Sequence, residues 1–218
     1  MSLFSFDKEF YDKGLVSVAG VDEAGRGPLA GPVAAAAVIL PKDADIPHLN
    51  DSKQLTPKRR DELFEIIKQK ALAYSISTVD NNKIDEINIL QATFIAMGNS
   101  VSGLKLRPDL CLIDGNHKVP KLAFDQQAIV DGDAKSAAIA AASILAKVTR
   151  DRLMLEYAKQ YPVYGFEKHK GYGTKMHMEA LKKYGACPIH RRSFAPVREV
   201  TDNYELPLKR KICRIQEP

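Results

Sequence analysis

Two apolar runs joined by a glycine-rich bend make up the stretch LVSVAGVDEAGRGPLAGPVAAAAVIL, residues Leu15 to Leu40, which decides the fold. The runs, Leu15 to Val21 and Val33 to Leu40, have the length and apolar content of buried strands. Because the connection between them is short, it favours an antiparallel hairpin. The sequence therefore predicts a sheet that starts with these two strands and has two acids, Asp22 and Glu23, at the end of the first.

The rest of the chain alternates helical and strand patterns. Thr56 followed by Pro57 is a typical helix start, in which threonine is the cap and proline lies in the first turn. Small residues fill the first half of the segment 137–161, so this predicted helix can pack closely on the sheet. The order of elements predicts an α/β fold with a mixed central sheet flanked by helices and a helical C-terminal extension. After the hairpin we expect a helix over 57–71, a strand over 73–79, a helix over 84–104, strands over 109–113 and 124–130, and helices over 137–161 and 175–184.

A chain of 218 residues can bury one good core, so we expect one principal domain. The expected limits are a core over residues 1–161, a basic helical extension of the same domain over 162–200, and a tail without clear periodicity over 201–218. The apolar runs are too short to span a bilayer, and the charged N-terminal stretch is unlike a signal peptide. We therefore expect a cytoplasmic protein with no membrane partner.

Residue spacing disfavours several kinds of ligand site. The glycines of the bend match neither GxGxxG nor GxxxxGK[ST], so a dinucleotide-binding loop or a P-loop is not expected. Cys187 and His190 have the spacing of metal ligands, but a structural zinc site needs four ligands and two more are not evident. A disulfide framework is also not expected from the three cysteines Cys111, Cys187 and Cys213.

Basic residues concentrate in the last third of the chain. Between Glu167 and Arg198 there are eight lysines and arginines against two acidic residues, a net charge of +6, whereas the whole chain carries +5. Aromatic residues lie among them, namely Tyr172, Tyr184 and Phe194. This combination is typical of a surface that binds a polyanion such as nucleic acid, although the solvated face of a helix would carry the same charge.

Acidic residues follow the predicted strands at three places: Asp22-Glu23, Asp114 and Asp133. Open α/β sheets bind ligands at the carboxyl ends of their strands. Clustered carboxylates repel one another unless protons or cations lie between them, and hard ions such as Mg²⁺ or Mn²⁺ prefer oxygen ligands. Two such ions about 3.5–4 Å apart can activate water and stabilise a leaving oxygen. The acids and the basic surface together indicate a nuclease, although Asp114 and Asp133 are also common turn or cap residues.

Adjacent residues of a regular strand point to opposite faces, so Asp22 and Glu23 could not both line one site within it. The bend Gly25-Arg26-Gly27 offers a solution, because the strand can end at Asp22 and the turn can bring Glu23 inward. The same bend lets backbone N–H groups and Arg26 approach a nucleic-acid backbone, where glycine is needed for close contact.

Several motifs occur in a fixed order along the chain, and together they resemble the bacterial ribonuclease HII family, the type 2 ribonucleases H. The resemblance covers roughly Val16 to Arg198 and implies that the core over 1–161 is an RNase H-like catalytic domain. It implies cleavage of the RNA strand in RNA–DNA hybrids, and incision of duplex DNA on the 5′ side of a single ribonucleotide, leaving a 3′-hydroxyl and a 5′-phosphate. The motifs are GVDEAGRGPLAGPV at 20–33, NDSKQLTPKRR at 50–60, IDGN at 113–116, GDAKS at 132–136, AAASILAKVTRD at 140–151 and HKGYGT at 169–174.

The resemblance also assigns site residues. It implies a substrate-sensing role for the GRG bend, in which Gly25, Arg26 and Gly27 read the ribose 2′-hydroxyl, and for Tyr172, whose ring packs on the next sugar. The fourth acid has nearby alternatives in Asp131 and Asp151. The acids that match the family, as catalytic residues and as ligands of Mn²⁺ or Mg²⁺, are Asp22, Glu23, Asp114 and Asp133. Charge adds the phosphate contacts Lys53, Lys168, Lys170, Arg191 and Arg192.

Some alternatives stay open. Asn50, Asp51 and Ser52 could simply shape the loop before a helix. Ser143 and Lys147, four residues apart on one helical face, either look toward the site or pack at the edge of the core. The alternative to an enzyme is a protein that only binds RNA–DNA hybrids and has a degenerate active site. This alternative is disfavoured because a binding protein gains no affinity from carboxylates clustered beneath a polyanion. We expect a monomer and a role in ribonucleotide repair and DNA replication, and find no convincing motif for a replication-clamp contact.

Overall fold

The structure, a computed structural model, describes residues 3–202. The predicted tail lies outside the described residues from position 203 onward, as does Cys213. Contacts group the chain into two units. The first contains the chain up to Arg26, Val33–Val79 and Leu90–Arg150, and the second contains Gly27–Pro32, Asp80–Ile89 and the chain from Asp151. The domain limits expected at 161 and 200 stay a prediction.

A mixed sheet lies in the first unit and consists of β1 (Val18–Ala24), β2 (Val33–Ile39), β3 (Ala73–Val79), β4 (Leu110–Asp114) and β5 (Gln126–Ile129). The strand order is β3-β2-β1-β4-β5. Strand β2 pairs antiparallel with β1 and β3, whereas β4 pairs parallel with β1 and β5. The predicted hairpin and the predicted mixed sheet are therefore confirmed.

Helices flank the sheet and continue into the second unit. Thr56 and Thr174 cap two of them as predicted, each accepting a hydrogen bond from the backbone N–H three residues on. The first helix, in the N-terminal stretch, was not among the predicted elements. The helices are α1 (Leu3–Asp12), α2 (Pro57–Lys70), α3 (Asn81–Ile87), α4 (Ile89–Ser102), α5 (Ala137–Gln160), α6 (Phe166–His169) and α7 (Lys175–Tyr184), and residues 195–202 are also helical.

The prediction of one continuous helix over 84–104 is wrong. Two helices, α3 and α4, occupy this region, and Asn88 separates them with a φ of +70°. A residue with a positive φ cannot continue a right-handed helix. The apolar periodicity runs through the break, so it does not reveal the interruption.

Helix α5 packs closely on the sheet, as its small residues predict. A Cβ atom on Gly20 of β1 would lie 2.0 Å from the carbonyl carbon of Ala138, so the strand and helix backbones are in contact there. Alanines of α5 join Val38 of β2 and Leu63 of α2 in one buried cluster. This contact determines which side chains of β1 face α5, because residues two apart on a strand share a face.

The carboxylate of Asp7 in α1 accepts a hydrogen bond of 2.8 Å from the backbone N–H of Ala138 at the start of α5. Burial raises the pKa of Asp7 to about 6. Helix α1 therefore adds a buried carboxylate at the positive end of the α5 dipole.

The second unit has its own core. Tyr164 stacks on Phe166 with 5.3 Å between ring centroids, and Met154 of α5 is buried in the same cluster. A second cluster joins Leu29 to Leu181 of α7 and to Val197. Among residues 3–202, no helix is long and apolar enough to cross a membrane.

Candidate active site

The carboxyl ends of β1 and β4 bring two of the predicted acids together. These strands are parallel, with Val21 opposite Ile113, so Asp22 and Asp114 follow at the same edge of the sheet. The side chain of Asp22 is nearly inaccessible, with the residue 4% exposed. Burial raises the pKa of Asp22 well above its ordinary value, and repulsion from Glu23 and Asp114 raises it further.

Asp22 lies on the same face of β1 as Gly20, which is the face in contact with α5. Ser143 of α5 donates a hydrogen bond that stabilises the ionised form of Asp22 and lowers its pKa in part. The Ser143 hydroxyl also lies 2.9 Å from the hydroxyl of Ser52. Since Ser143 donates to Asp22, its oxygen is the acceptor for Ser52. Both serines therefore support the site, which resolves the alternatives left open for them.

Asp133 joins the site through a 3₁₀ helix, Gly132–Ala134, that follows β5. Asp114 Oδ1 accepts hydrogen bonds from the backbone N–H groups of Gly132, at 2.7 Å, and Asp133, at 3.4 Å. Burial raises the pKa of Asp114, and repulsion from Asp133 is the next contribution. Asp133 is 5% exposed, whereas Asp131 is exposed with a φ of +53°. The geometry favours Asp133 over Asp131 as the fourth acid.

The expectation that the strand ends at Asp22 is wrong. Strand β1 continues to Ala24, and Glu23 and Ala24 still pair with Ala35 and Ala34 of β2. The bend begins only at Gly25, because long-range pairing with β2 extends the strand. Glu23 nevertheless belongs to the cluster, since its charge raises the pKa of both Asp22 and Asp114.

Lys53 forms an ion pair with Asp133. Its ammonium lies 3.0 Å from Asp133 Oδ2, and this hydrogen bond raises the pKa of Lys53. Asp51 caps the short helix that carries Lys53, and Arg60 donates to the backbone carbonyls of Ser52 and Leu55 at 2.8 and 2.6 Å. Asp51 therefore shapes the loop, as the structural alternative supposed, and the loop presents Lys53 to the acids.

The donor set fits a divalent cation. Carboxylate oxygens from three strand ends are the ligands that Mg²⁺ and Mn²⁺ prefer, and their mutual repulsion is relieved by positive charge. The ammonium of Lys53 supplies such a charge at Asp133. Within residues 3–202, no group of three or more His, Cys, Asp or Glu side chains is placed so that it could hold a metal ion as it stands.

The GRG bend lies in close contact with helix α5. Gly25 has a φ of +99°, and a Cβ atom there would lie 2.0 Å from Nε of Arg150, a fully buried residue of α5. Glycine is therefore required at position 25 for both conformation and space. Arg26 is exposed, and its guanidinium lies 3.2 Å from Oε1 of Glu23. The bend therefore connects directly to the acid cluster within the first unit.

Gly27 begins the part of the bend that belongs to the second unit. A Cβ atom on Gly27 would lie 3.7 Å from a ring carbon of Tyr172, which is ordinary van der Waals contact. Tyr172 is 44% exposed, so its ring presents a surface beside Gly27. The structure therefore brings together two of the predicted substrate-binding residues.

The predicted phosphate contacts differ in their placement. Lys168 and Arg192 are exposed, and Lys170 folds back to donate to the backbone carbonyl of Glu167. Arg191 is 0% exposed and donates to the carbonyls of Gly31 and Pro28 at 2.9 and 2.8 Å. A guanidinium buried in this way cannot contact a phosphate, so the role predicted for Arg191 is corrected: it anchors the segment 28–31.

The family described as Ribonuclease HII has a sequence profile that matches residues 19–197 of this chain. The Ribonuclease HII of Endomicrobium trichonymphae is 68% identical over 205 residues, which covers 94% of this chain and 98% of that protein. The chain belongs to the ribonuclease HII family. As a member, it is a ribonuclease H hydrolase, an endoribonuclease of RNA–DNA hybrids.

Solved structures agree with this family and fold. The crystal structure of ribonuclease H2 from Pyrococcus horikoshii OT3 is similar with a TM-score of 0.72 and 30% identity, covering 87% of this chain and 99% of that chain. Bst-RNase HIII in complex with Mn²⁺ has a TM-score of 0.69 and 17% identity, covering 85% of this chain and 69% of that chain. The second likeness concerns the fold alone.

The supporting roles of two buried arginines, Arg150 and Arg191, are not evident from the sequence. Arg150 lies seven residues after Ser143 on α5, and the spacing of Ser143, Lys147 and Arg150 is that of one helical face. That spacing indicates that Arg150 lies on the same face of α5 as Ser143. Arg191 has no such signal, because its local sequence is basic and its burial depends on residues distant along the chain.

Proposed function

We propose that this protein, besides acting on RNA–DNA hybrids, incises duplex DNA on the 5′ side of a single embedded ribonucleotide. The products are a 3′-hydroxyl and a 5′-phosphate. The observation that carries the proposal is the continuity of β1: Asp22 and Glu23, in the acid cluster, are followed at once by Gly25 and Arg26. Cleavage and recognition groups are therefore only two residues apart.

Asp22, Glu23, Asp114 and Asp133 would hold two divalent cations, Mg²⁺ or Mn²⁺. When bound, these ions supply the nucleophile from water and stabilise the negative charge on the departing 3′-oxygen. Asp22 is buried among the groups that would hold the cations, and Ser143 holds it in place from α5. Support comes from the pKa values of Asp22 and Asp114, which burial raises first and repulsion between the carboxylates raises further, so that bound cations would be stabilising.

Recognition of the ribonucleotide would fall to the GRG bend and Tyr172. The 2′-hydroxyl is the group that distinguishes RNA from DNA. Gly27 is exposed and Gly25 is buried, and the absence of a side chain at both would let a nucleic-acid backbone come close to the bend. Arg26, exposed beside Glu23, adds a donor. The ring of Tyr172, which lies against Gly27, would pack on the sugar of the following deoxynucleotide.

Basic side chains that neutralise the phosphates of the substrate would supply the affinity for it. Lys53, Lys168, Lys170 and Arg192 are the proposed contacts, and binding should weaken steeply as salt concentration rises. We also expect the enzyme to act as a monomer in the cytoplasm and in ribonucleotide excision repair during DNA replication. A contact with the replication clamp stays a prediction without a motif.

The test is incubation of a labelled DNA duplex containing one ribonucleotide with the enzyme and Mg²⁺ or Mn²⁺. Incision on the 5′ side of the ribonucleotide is expected, with no cleavage of the all-DNA duplex of the same sequence. An RNA–DNA hybrid serves as the second substrate, and binding is measured in parallel by fluorescence anisotropy. Persistent binding of the ribonucleotide duplex without incision in either ion would overturn the proposal.

A further inference from the structure

Two buried histidines of the second unit are in direct hydrogen-bond contact. Nε2 of His177 lies 3.0 Å from Nε2 of His190, and the two residues are 0% and 1% exposed. His177 lies in α7, and His190 lies in the irregular segment that follows Cys187. Neither residue belongs to the acid cluster or to the predicted substrate contacts, so the proposed reaction leaves their role unassigned.

Backbone groups at both ends determine where the imidazole protons lie. The N–H of Cys187 can only donate, and it lies 2.9 Å from Nδ1 of His190, which must therefore accept. The carbonyl of Tyr172 can only accept, and it lies 2.9 Å from Nδ1 of His177, which must therefore donate. His190 is then protonated at Nε2 and donates to the bare Nε2 of His177. All three hydrogen bonds therefore point the same way, from the Cys187 N–H through His190 and His177 to the Tyr172 carbonyl, and both rings are neutral.

The surroundings favour this neutral pair. Burial lowers the pKa of His177 and of His190 to about 4, and their mutual repulsion and the charge of Arg192 contribute at His190. His169 stacks on His177 at 4.6 Å between centroids and is itself held by the carbonyl of Tyr164 at 2.8 Å. The rings of Phe166 and Tyr164 also contact the pair, and the Cys187 thiol lies 3.1 Å from Nδ1 of His190.

We call the hydrogen-bonded pair His177 and His190 the histidine relay. Each histidine connects to a different segment near the residues proposed to contact substrate. Its His177 end holds the carbonyl of Tyr172. Its His190 end belongs to a backbone segment, 189–191, that pairs with the segment 27–32: Gly31 donates to the carbonyl of Ile189, and Arg191 to that of Leu29, both at 2.9 Å. Leu29 also donates to the carbonyl of Gly171 at 2.8 Å.

We propose that His177 and His190 are positioning residues that set the loop 169–174 in register with the segment 27–32, and so hold the ring of Tyr172 against Gly27. The proposal rests on the substrate-binding role proposed above for Tyr172 and Gly27. An apolar pair of similar size would fill the same volume, but it would leave the Tyr172 carbonyl and the Cys187 N–H without these partners. The relay therefore fixes the loop in one position relative to Gly27.

Two substitutions at position 177 separate the bonds of the relay. In His177→Asn, the amide nitrogen takes the place of Nδ1 and keeps the bond to Tyr172. In His177→Gln, the amide takes the place of Nε2, so the contact with His190 is kept and the bond to Tyr172 is lost. On the single-ribonucleotide duplex, we expect kcat/KM to fall about tenfold for His177→Gln and no more than about threefold for His177→Asn.

A double-mutant cycle with Tyr172→Ala tests whether the relay acts through Tyr172. Once the ring is removed, His177→Gln should lower kcat/KM by less than about twofold, because there is no ring left to position. Ile84→Val, which removes buried volume from α3 in the same unit, outside the relay and the two segments that it joins, is the control and should show no coupling to Tyr172→Ala. Equal effects of His177→Gln in both backgrounds would overturn the proposal.

The proton positions offer a check on the wild-type enzyme, which keeps the proposal testable if a variant fails to fold. In ¹⁵N NMR, His177 should be protonated at Nδ1 and His190 at Nε2, both neutral at pH 7. The opposite tautomers would overturn the relay. If wild-type enzyme incises no ribonucleotide substrate, the proposed function fails, whereas wild-type incision that is unaffected by His177→Gln defeats the positioning role alone.

Discussion

The ammonium of Lys53 lies 3.0 Å from Oδ2 of Asp133, so a mobile cation of the protein itself lies against a buried carboxylate of the acid cluster. The Lys53 side chain is 77% exposed, whereas that of Asp133 is 7% exposed. The lysine can therefore swing out to a phosphate while the aspartate stays in place. We therefore predict that Lys53 competes with a metal ion in the free enzyme and contacts substrate in the complex.

Replacing Lys53 should separate these two effects. In Lys53→Ala, the affinity of the free enzyme for Mn²⁺ should rise about threefold, because an exposed competing ion pair contributes little more than that. Incision should fall about tenfold through loss of a charged phosphate contact. Calorimetric titration with Mn²⁺ and steady-state incision measure the two quantities. Lys58→Ala, an exposed lysine of α2, is the control; unchanged Mn²⁺ affinity in Lys53→Ala would exclude the competition.

Asp22 should be more important for activity than for stability. Its pKa is raised by burial and by repulsion from Glu23 and Asp114, so the ionised group destabilises the folded state. Asp22→Asn should lower incision by at least about a thousandfold and leave the melting temperature equal or higher. Calorimetry and incision assays compare it with Asp43→Asn, an exposed acid that should change neither. Wild-type rates in Asp22→Asn would show that Asp22 does not hold the catalytic ions.

Gly25→Ala and Gly14→Ala form a matched pair. The two glycines have φ values of +99° and +94°, but a Cβ atom meets Arg150 at position 25 and meets nothing within 4 Å at position 14. Gly14→Ala should cost about 1 kcal/mol of unfolding free energy from conformation alone. Gly25→Ala should cost about 3 kcal/mol or more and lower incision. Urea unfolding measures both, and equal costs would mean that Arg150 yields without strain.

Arg26 should contribute to selectivity and little to folding. Arg26→Ala breaks an ion pair with Glu23 in which the arginine side chain is 51% exposed, so the melting temperature should change little. The binding preference for a ribonucleotide duplex over an all-DNA duplex should fall, as measured by the ratio of the two dissociation constants. Arg59→Ala, which breaks a similar pair with Glu62, is the control. An unchanged ratio in Arg26→Ala would remove the arginine from recognition.

The histidine relay should make stability depend on pH. The pKa values of His177 and His190 are lowered to about 4 in the folded state, below the ordinary 6.5 that applies after unfolding. Protons therefore bind the unfolded chain first, and stability is full above pH 6.5 and lost as pH falls toward 4. The loss should reach up to about 2 kcal/mol for each histidine between pH 6.5 and 5.

Comparison with a non-titrating variant isolates this effect. Asp7, whose pKa is raised to about 6, contributes with the opposite sign, since its stability contribution falls as pH rises from about 4 to 6. This contribution cancels when urea unfolding of wild-type enzyme is compared with that of the double variant His177→Gln, His190→Gln. The variant should lose less stability between pH 6.5 and 5, and an identical slope in both proteins would contradict the prediction.

Features of the fold that depend on interactions between residues close in the chain were predictable from the sequence. Thr56 and Thr174 begin helices because their side chains cap the N–H groups three residues on, an interaction that lies within one turn. Buried strands such as β2 show as apolar runs, and acids after strand ends predict a site at one edge of the sheet. The motifs then led to the ribonuclease HII family.

Contacts between distant residues decided the rest. Strand β1 extends to Ala24 because β2 pairs with it, which alternation along β1 alone does not reveal. The charge of Arg191 predicted a phosphate contact. Its guanidinium instead donates to the carbonyls of Gly31 and Pro28, which lie 160 and 163 residues earlier in the chain. The proton positions in His177 and His190 likewise depend on the backbone of Tyr172 and Cys187. Sequence patterns report local preferences, but burial and hydrogen-bond direction exist only when the chain has brought distant groups together.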